Sequence, residues 1–96
     1  EWGSNFEITQ HLLKRLSINI ELSGKLDFPA GNMLWFRVDA VKQLFENNLK
    51  WSDFPDESGQ MDGTLMHAIE RAWNYIAASN GYTKLIVNIS AIEDEV

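Results

Sequence analysis

Apolar residues recur at helical spacing in two stretches of this chain. Phe6, Ile8, Leu12, Leu13 and Leu16 fall on one side of a helical wheel. Ser4-Asn5-Phe6-Glu7 has the Ser-x-x-Glu form of a capping box, so a first helix is predicted from about residue 5 to 16. The stronger stripe is Leu65, Ile69, Ala72, Trp73 and Ile76. It predicts a helix over 62–79 with Asp62 at its N-cap and Ile69 and Trp73 buried. Asn80-Gly81 supplies a left-handed C-terminal stop. A shorter helix, capped by Asp39, would bury Val41, Leu44, Phe45 and Leu49.

Between these helices the pattern turns β-prone. Residues 17–22 alternate loosely and are rich in Ile, which predicts an extended segment closed by the Ser23-Gly24 turn. Met33 to Val38 is apolar and aromatic, so a strand is predicted over 32–36. Residues 82–89 predict another strand, with Leu85, Ile86 and Val87 buried. Trp51 to Gly59 reads as a loop, and the acidic end from Ile92 to Val96 has little reason to be ordered. The expected fold is therefore mixed α/β (α+β): a small incomplete sheet with about three helices, forming a single domain or fragment over 1–96. Its open sheet edges would favour self-association.

Composition narrows the function classes. Ninety-six residues support one core. Four Trp and five Phe are many for that length, and they can serve either a core or a ligand surface. The net charge is −6 and the basic residues are scattered, which argues against nucleic acid and anionic lipid as partners. Without cysteine there is neither a disulfide framework nor a thiolate metal site. No apolar run approaches the ~20 residues of a membrane-spanning helix. The chain starts at Glu1 rather than Met, as it would if cut from something longer, and processing or missing residues explain it as well. Walker, Rossmann, nucleophile-elbow and zinc-protease motifs are all absent.

Four groupings could carry chemistry. On the long helix, His67, Glu70 and Asn74 share a polar side opposite Leu65 and Ile69, with Arg71 on the flank. A His one turn from both Glu and Arg could act as a base, a ligand of a divalent ion, or a donor to a phosphate oxygen. A solvated helix face bearing one His explains the same pattern. Asp62, followed by Gly63, could take a proton from a sugar hydroxyl, or could simply cap the helix. Asp53, Asp56, Glu57 and Asp62 cluster within ten residues but match no calcium-loop spacing, so a solvated acidic loop is the simpler account. Pro29-Ala30-Gly31-Asn32 is a small-residue bend that a ligand could approach closely. Trp35 could stack on a sugar ring, although core burial of Met33, Trp35 and Phe36 competes with that reading.

Two blocks together carry a family resemblance. They are Phe28-Pro29-Ala30-Gly31-x-Met33-x-Trp35-x-Arg37 and Gln60-x-Asp62-Gly63-Thr64-x-x-His67-Ala68-Ile69-Glu70-Arg71, separated by Trp51-x-Asp53-Phe54-Pro55. In that order and spacing they resemble the rhamnan synthesis F family, bacterial proteins of rhamnose-rich polysaccharide, O-antigen and cell-wall glycan assembly. The resemblance covers about residues 5–83.

The resemblance implies the C-terminal, acceptor-side part of a GT-A-type glycosyltransferase, the nucleotide-binding half lying outside this chain. The whole enzyme would move rhamnose or a related sugar from a nucleotide-diphosphate donor to a growing glycan, at the cytoplasmic side, at the inner face of the membrane. A divalent cation such as Mg or Mn would be its cofactor. Carried over by position, Asp62 would be the base. His67, Glu70 and Arg71 would face the diphosphate or its metal. Ala30, Gly31 and Asn32 would border the sugars, Trp35 would line that pocket, and Gln60 and Gly63 would complete the substrate contacts. The alternative from a different class is a non-catalytic domain that binds a glycan or a protein.

Overall fold

The computed structural model describes residues 2–56, 58 and 63–86. Among them the secondary structure is entirely helical. Three α-helices, α1 (Phe6–Arg15), α2 (Lys42–Glu46) and α3 (Leu65–Ser79), are joined by 3-10 turns at Gly3–Asn5, Ala30–Asn32, Val38–Val41 and Trp51–Asp53. Helices α1 and α3 pack against each other. Leu12 and Leu13 of α1 meet Ala68, Ala72 and Ile76 of α3, and Leu16, Ile18, Ala40, Val41 and Leu44 complete the core. Alanines at 68 and 72 let the two backbones approach closely, and both are fully buried.

The mixed α/β expectation is thereby overturned, because no strand and no sheet is present among the described residues. Beyond Asn32, which lies in a 3-10 turn, the described residues of the predicted strands carry no regular secondary structure and have no ladder to join. Met33 is 85 % exposed and Trp35 is 102 % exposed, and Leu85 and Ile86 are equally open. β-Propensity describes fit to a half-buried pleated surface, and these segments lack the neighbour that would create one. No sheet edge is therefore available among these residues to drive self-association. Val87 to Ile89 and the acidic end lie outside the described residues.

Segment 18–22 shows how extended backbone is satisfied here without a sheet. The Gln10 side chain of α1 donates from Nε2 to the Ile20 carbonyl at 3.1 Å, and its Oε1 accepts from the Leu22 N–H at 3.4 Å. One amide thus does the work of a neighbouring strand. Trp2, also buried, donates from Nε1 to the Ser23 carbonyl at 2.8 Å and meets Phe6 edge-on at 5.5 Å.

Both long helices end the same way. At α3 the Gly81 N–H reaches the Ala78 carbonyl and the Tyr82 N–H reaches the Ala77 carbonyl, a Schellman closure with Gly81 at φ +80°. This is the stop that Asn80-Gly81 predicts. At α1 the Ser17 N–H bonds to Lys14 and the Ile18 N–H bonds to Leu13, the same closure with a serine at φ +62°.

The helix starts differ from expectation. Helix α1 follows a 3-10 turn and its N-cap is Asn5, with no side-chain capping bond, so the Ser4–Glu7 box does not form. The buried Asn5 side chain is used elsewhere: its Oδ1 accepts from the Gly63 N–H at 2.8 Å. Asp39 lies in a 3-10 turn and makes no cap for α2, whose N-cap is Val41. Phe45, expected inside, is 62 % exposed because α2 spans only five residues and presents just Leu44 to the core. The N-cap of α3 is Thr64, two residues after the expected Asp62, since Gly63 at φ +86° cannot belong to a right-handed helix.

Candidate functional site

The polar edge of α3 grips the glycine bend. Residues 70, 73 and 74 are three and four apart, so their side chains leave the helix on one side. Glu70 Oε2 accepts from the Gly31 N–H at 2.6 Å. Trp73 donates from Nε1 to Asn32 Oδ1 at 2.7 Å. Asn74 donates from Nδ2 to the Asp27 carbonyl at 2.9 Å. Arg71 pairs with Glu70 and lays its guanidinium 4.5 Å above the Phe28 ring. Phe36 stacks on Trp73 at 5.4 Å, and Lys84 pairs with Asp27.

The bend takes this shape because two successive residues adopt left-handed backbone: Gly31 at φ +73° and Asn32 at φ +58°. Glycine does so at little cost, and Asn is among the few other residues that tolerate it. The bend stays on the surface, with Ala30, Gly31 and Asn32 all exposed. Trp35 follows it, fully open to solvent. The alternative that Met33, Trp35 and Phe36 form core does not hold for the first two, while Phe36 is covered in part by Trp73.

The expected site residues thus divide into groups. Ala30, Gly31, Asn32, Glu70 and Arg71 come together. The Glu70 and Arg71 side chains are only 16 % and 13 % exposed, and their polar atoms hold the bend and each other. His67 is half-buried and engages the start of the helix: its Nδ1 lies 2.6 Å from Thr64 Oγ1, which also accepts from the His67 backbone N–H at 3.4 Å. Gly63 is exposed and bound to Asn5. Gln60 and Asp62 lie outside the described residues.

Among the described residues no group of three or more His, Asp or Glu side chains could hold a metal ion. Glu70, the acid bonded to the bend, already carries an arginine and a backbone N–H. Among the described residues this donor set does not fit a divalent cation. Likewise, no helix among these residues is long and apolar enough to cross a membrane.

Two concavities open elsewhere on the surface. One, of about 390 Å³, is bordered by Gly3, Ser4, Phe6 and Glu7. The other, of about 470 Å³, runs between the Trp51 turn and Met66 of α3. Its aromatic wall comes from Trp51 and Phe54, in the stretch that separates the two sequence blocks. The turn itself is firmly held. Asp53 Oδ2 accepts from the Lys50 N–H at 2.6 Å and from Arg15 Nη2 at 3.1 Å. The Lys50 backbone bond first, and the Arg15 side chain second, hold the Asp53 carboxyl below its usual range.

The chain is similar to proteins of known classification. The family profile described as Rhamnan synthesis protein F matches residues 1–82. Two curated relatives, both named "Uncharacterized protein WxcX" and both from Xanthomonas campestris pv. campestris, one of them strain B100, are 35 % identical over 80 residues. Those 80 residues are 83 % of this chain and 11 % of each relative, so the chain spans about one-ninth of their length. No solved structure matches. With most of its length under the family profile, and with the clamped bend and α3 both inside the matched region, this chain belongs to the rhamnan synthesis protein F family.

Proposed function

We propose that this chain is part of a glycosyltransferase of bacterial cell-surface polysaccharide synthesis, one that transfers rhamnose or a related sugar from a nucleotide-diphosphate donor to a growing glycan. Family membership supports the coarser part, participation in rhamnan or related polysaccharide synthesis. The observation that carries the finer part is the Gly31–Glu70 hydrogen bond, which joins the two sequence blocks into one surface. On that surface Ala30, Gly31 and Asn32 border the sugars and Trp35 offers a ring face. Asp62 and His67 are the proposed proton-handling residues, with Gln60 and Gly63 as proposed substrate contacts. Glu70 and Arg71 act by holding the bend in place.

The test uses the full-length parent protein. Transfer from nucleotide-diphosphate rhamnose to a rhamnan acceptor is measured for wild type, Asp62→Asn and His67→Ala, with folding checked by circular dichroism. Loss of a general base or acid lowers transfer about 10²- to 10⁴-fold. Wild-type rates in both folded variants would overturn the assignment.

One observation favours a second reading, a non-catalytic glycan- or protein-binding domain. Glu70, Trp73 and Asn74 direct hydrogen-bonding groups at the chain's own bend. Under that reading the same variants keep full transfer, while deletion of residues 28–37 abolishes glycan retention.

A further inference from the structure

Thr64 and His67 meet at the start of α3, where the helix cap and a titratable ring share one hydroxyl. Thr64 is the N-cap, and its Oγ1 accepts from the His67 backbone N–H at 3.4 Å. The same oxygen lies 2.6 Å from His67 Nδ1. A hydroxyl has one proton to give, and a neutral imidazole donates at one ring nitrogen and accepts at the other. Two arrangements are therefore open. Either Thr64 donates to Nδ1 and the ring proton sits on Nε2, or Nδ1–H donates to Thr64.

The surroundings favour the first. Thr64 is only 8 % exposed, so its hydroxyl proton needs an acceptor within the protein. Nδ1 is the acceptor that the described residues supply. In the reverse arrangement Oγ1 would take two N–H bonds while its own proton had no partner among them. The 2.6 Å separation points the same way, since O–H donors sit closer than the ~2.9–3.0 Å common for N–H donors. The pair is also rigidly mounted. The Thr64 carbonyl accepts from the Ala68 N–H at 3.0 Å, and Asn5 holds the preceding Gly63 at 2.8 Å.

We propose that Thr64 is a positioning residue that locks the neutral His67 ring as the Nε2–H tautomer. The bond made by one ring nitrogen decides which nitrogen carries the proton. His67 then meets substrate as a hydrogen-bond donor to an oxygen. It does not act as a base through Nε2, because that nitrogen already bears the proton, and Asp62 is left as the base. This division of roles rests on the sugar-transfer reading above; the tautomer lock does not.

Long-range proton–nitrogen correlation spectra of the nitrogen-labelled 96-residue chain read the ring nitrogens directly. They are taken at about pH 8.5, above the ~6.5 at which imidazole ordinarily titrates. A bare ring nitrogen resonates far downfield of a protonated one. His11, exposed on α1, is the internal reference for a ring that exchanges between tautomers. The expected His67 spectrum is the pure Nε2–H pattern, with Nδ1 bare, and Thr64→Ser should keep it. Thr64→Asp retains a capping acceptor but has no proton to give, so Nδ1 should become protonated. Circular dichroism checks that both variants fold. A His67 pattern equal to that of His11, or a protonated Nδ1 in the wild type, would overturn the proposal. So would a folded Thr64→Asp chain that keeps the wild-type tautomer. In the full-length parent, Thr64→Asp should lower kcat on the order of tenfold or more, and Thr64→Ser should retain wild-type turnover. Unchanged kcat in Thr64→Asp, with His67→Ala inactive, would overturn the donor role and leave sugar transfer intact. Wild-type transfer in His67→Ala would instead end that residue's part in transfer, while the spectrum alone decides the lock.

Discussion

The backbone N–H of Gly31 donates to Oε2 of Glu70 at 2.6 Å, across 39 residues of chain. The acceptor is mostly shielded from solvent and shares its charge with Arg71. A hydrogen bond to a charged group contributes ~1.5–3 kcal/mol. Glu70→Ala should therefore lower unfolding free energy by about 2–3 kcal/mol, because it also strips Arg71 of its carboxylate. Glu70→Gln keeps an acceptor and should cost roughly half as much. Urea unfolding measures both, and a wild-type midpoint in Glu70→Ala would show that the clamp is energetically idle.

Equivalent helix ends give opposite responses to substitution. Ser17 and Gly81 occupy the same left-handed position after α1 and α3. A side chain there costs on the order of 1 kcal/mol relative to glycine. Ser17→Gly should raise thermal stability by about 0.5–1 kcal/mol, and Gly81→Ala should lower it by about 1 kcal/mol. A Cβ at Gly81 meets no neighbouring atom, so that loss would report backbone conformation alone.

Asn5, at the start of α1, is tied to the entry of α3 through the Gly63 N–H. The side chain is fully buried, and removing it takes the acceptor from the Gly63 N–H and leaves a void where the amide sat. Asn5→Ala should cost about 1–3 kcal/mol and speed hydrogen exchange at Gly63 more than at Ala72. Uniform acceleration at both sites would mean that the contact acts only through global stability.

Asp53 makes the Trp51 turn sensitive to acid. Its carboxyl is held below the usual range by the Lys50 N–H and then by Arg15. As pH falls, the unfolded chain takes up the proton first, so the stabilisation is complete above the ordinary Asp value of ~4 and is lost as pH drops through the folded value. Urea midpoints of wild type and Asp53→Asn should differ near pH 6 and converge below about pH 4. A gap that persists at pH 2 would rule out the carboxylate as its source.

Local signals were readable in the sequence and long-range ones were not. The stripes of α1 and α3 are read from positions three and four apart, and Gly81 announces its turn by type. Ser17 makes the same turn unannounced, because serine seldom adopts that backbone. Met33–Phe36 and Leu85–Ile86 look like strands, yet strand formation depends on a neighbour that sequence composition does not reveal. The Ser4–Glu7 box was misleading for a related reason: Asn5 has its partner 58 residues away. The bend and the edge of α3 could be identified as two blocks, but not as a clamp. The Trp51 groove was hidden because its walls come from a loop and from a helix whose apolar stripe points elsewhere.

The pairing of α1 with α3 has a consequence for synthesis on the ribosome. Residues of the first helix find their main apolar partner only after Ser79 has been added. A ten-residue helix is marginal in water by itself. At ~5–20 residues per second of translation, Leu12 and Leu13 wait roughly 3–13 s without cover. The interval exposes these leucines to chaperones and to proteases, and a polypeptide ending before Leu65 would leave the first helix without that partner.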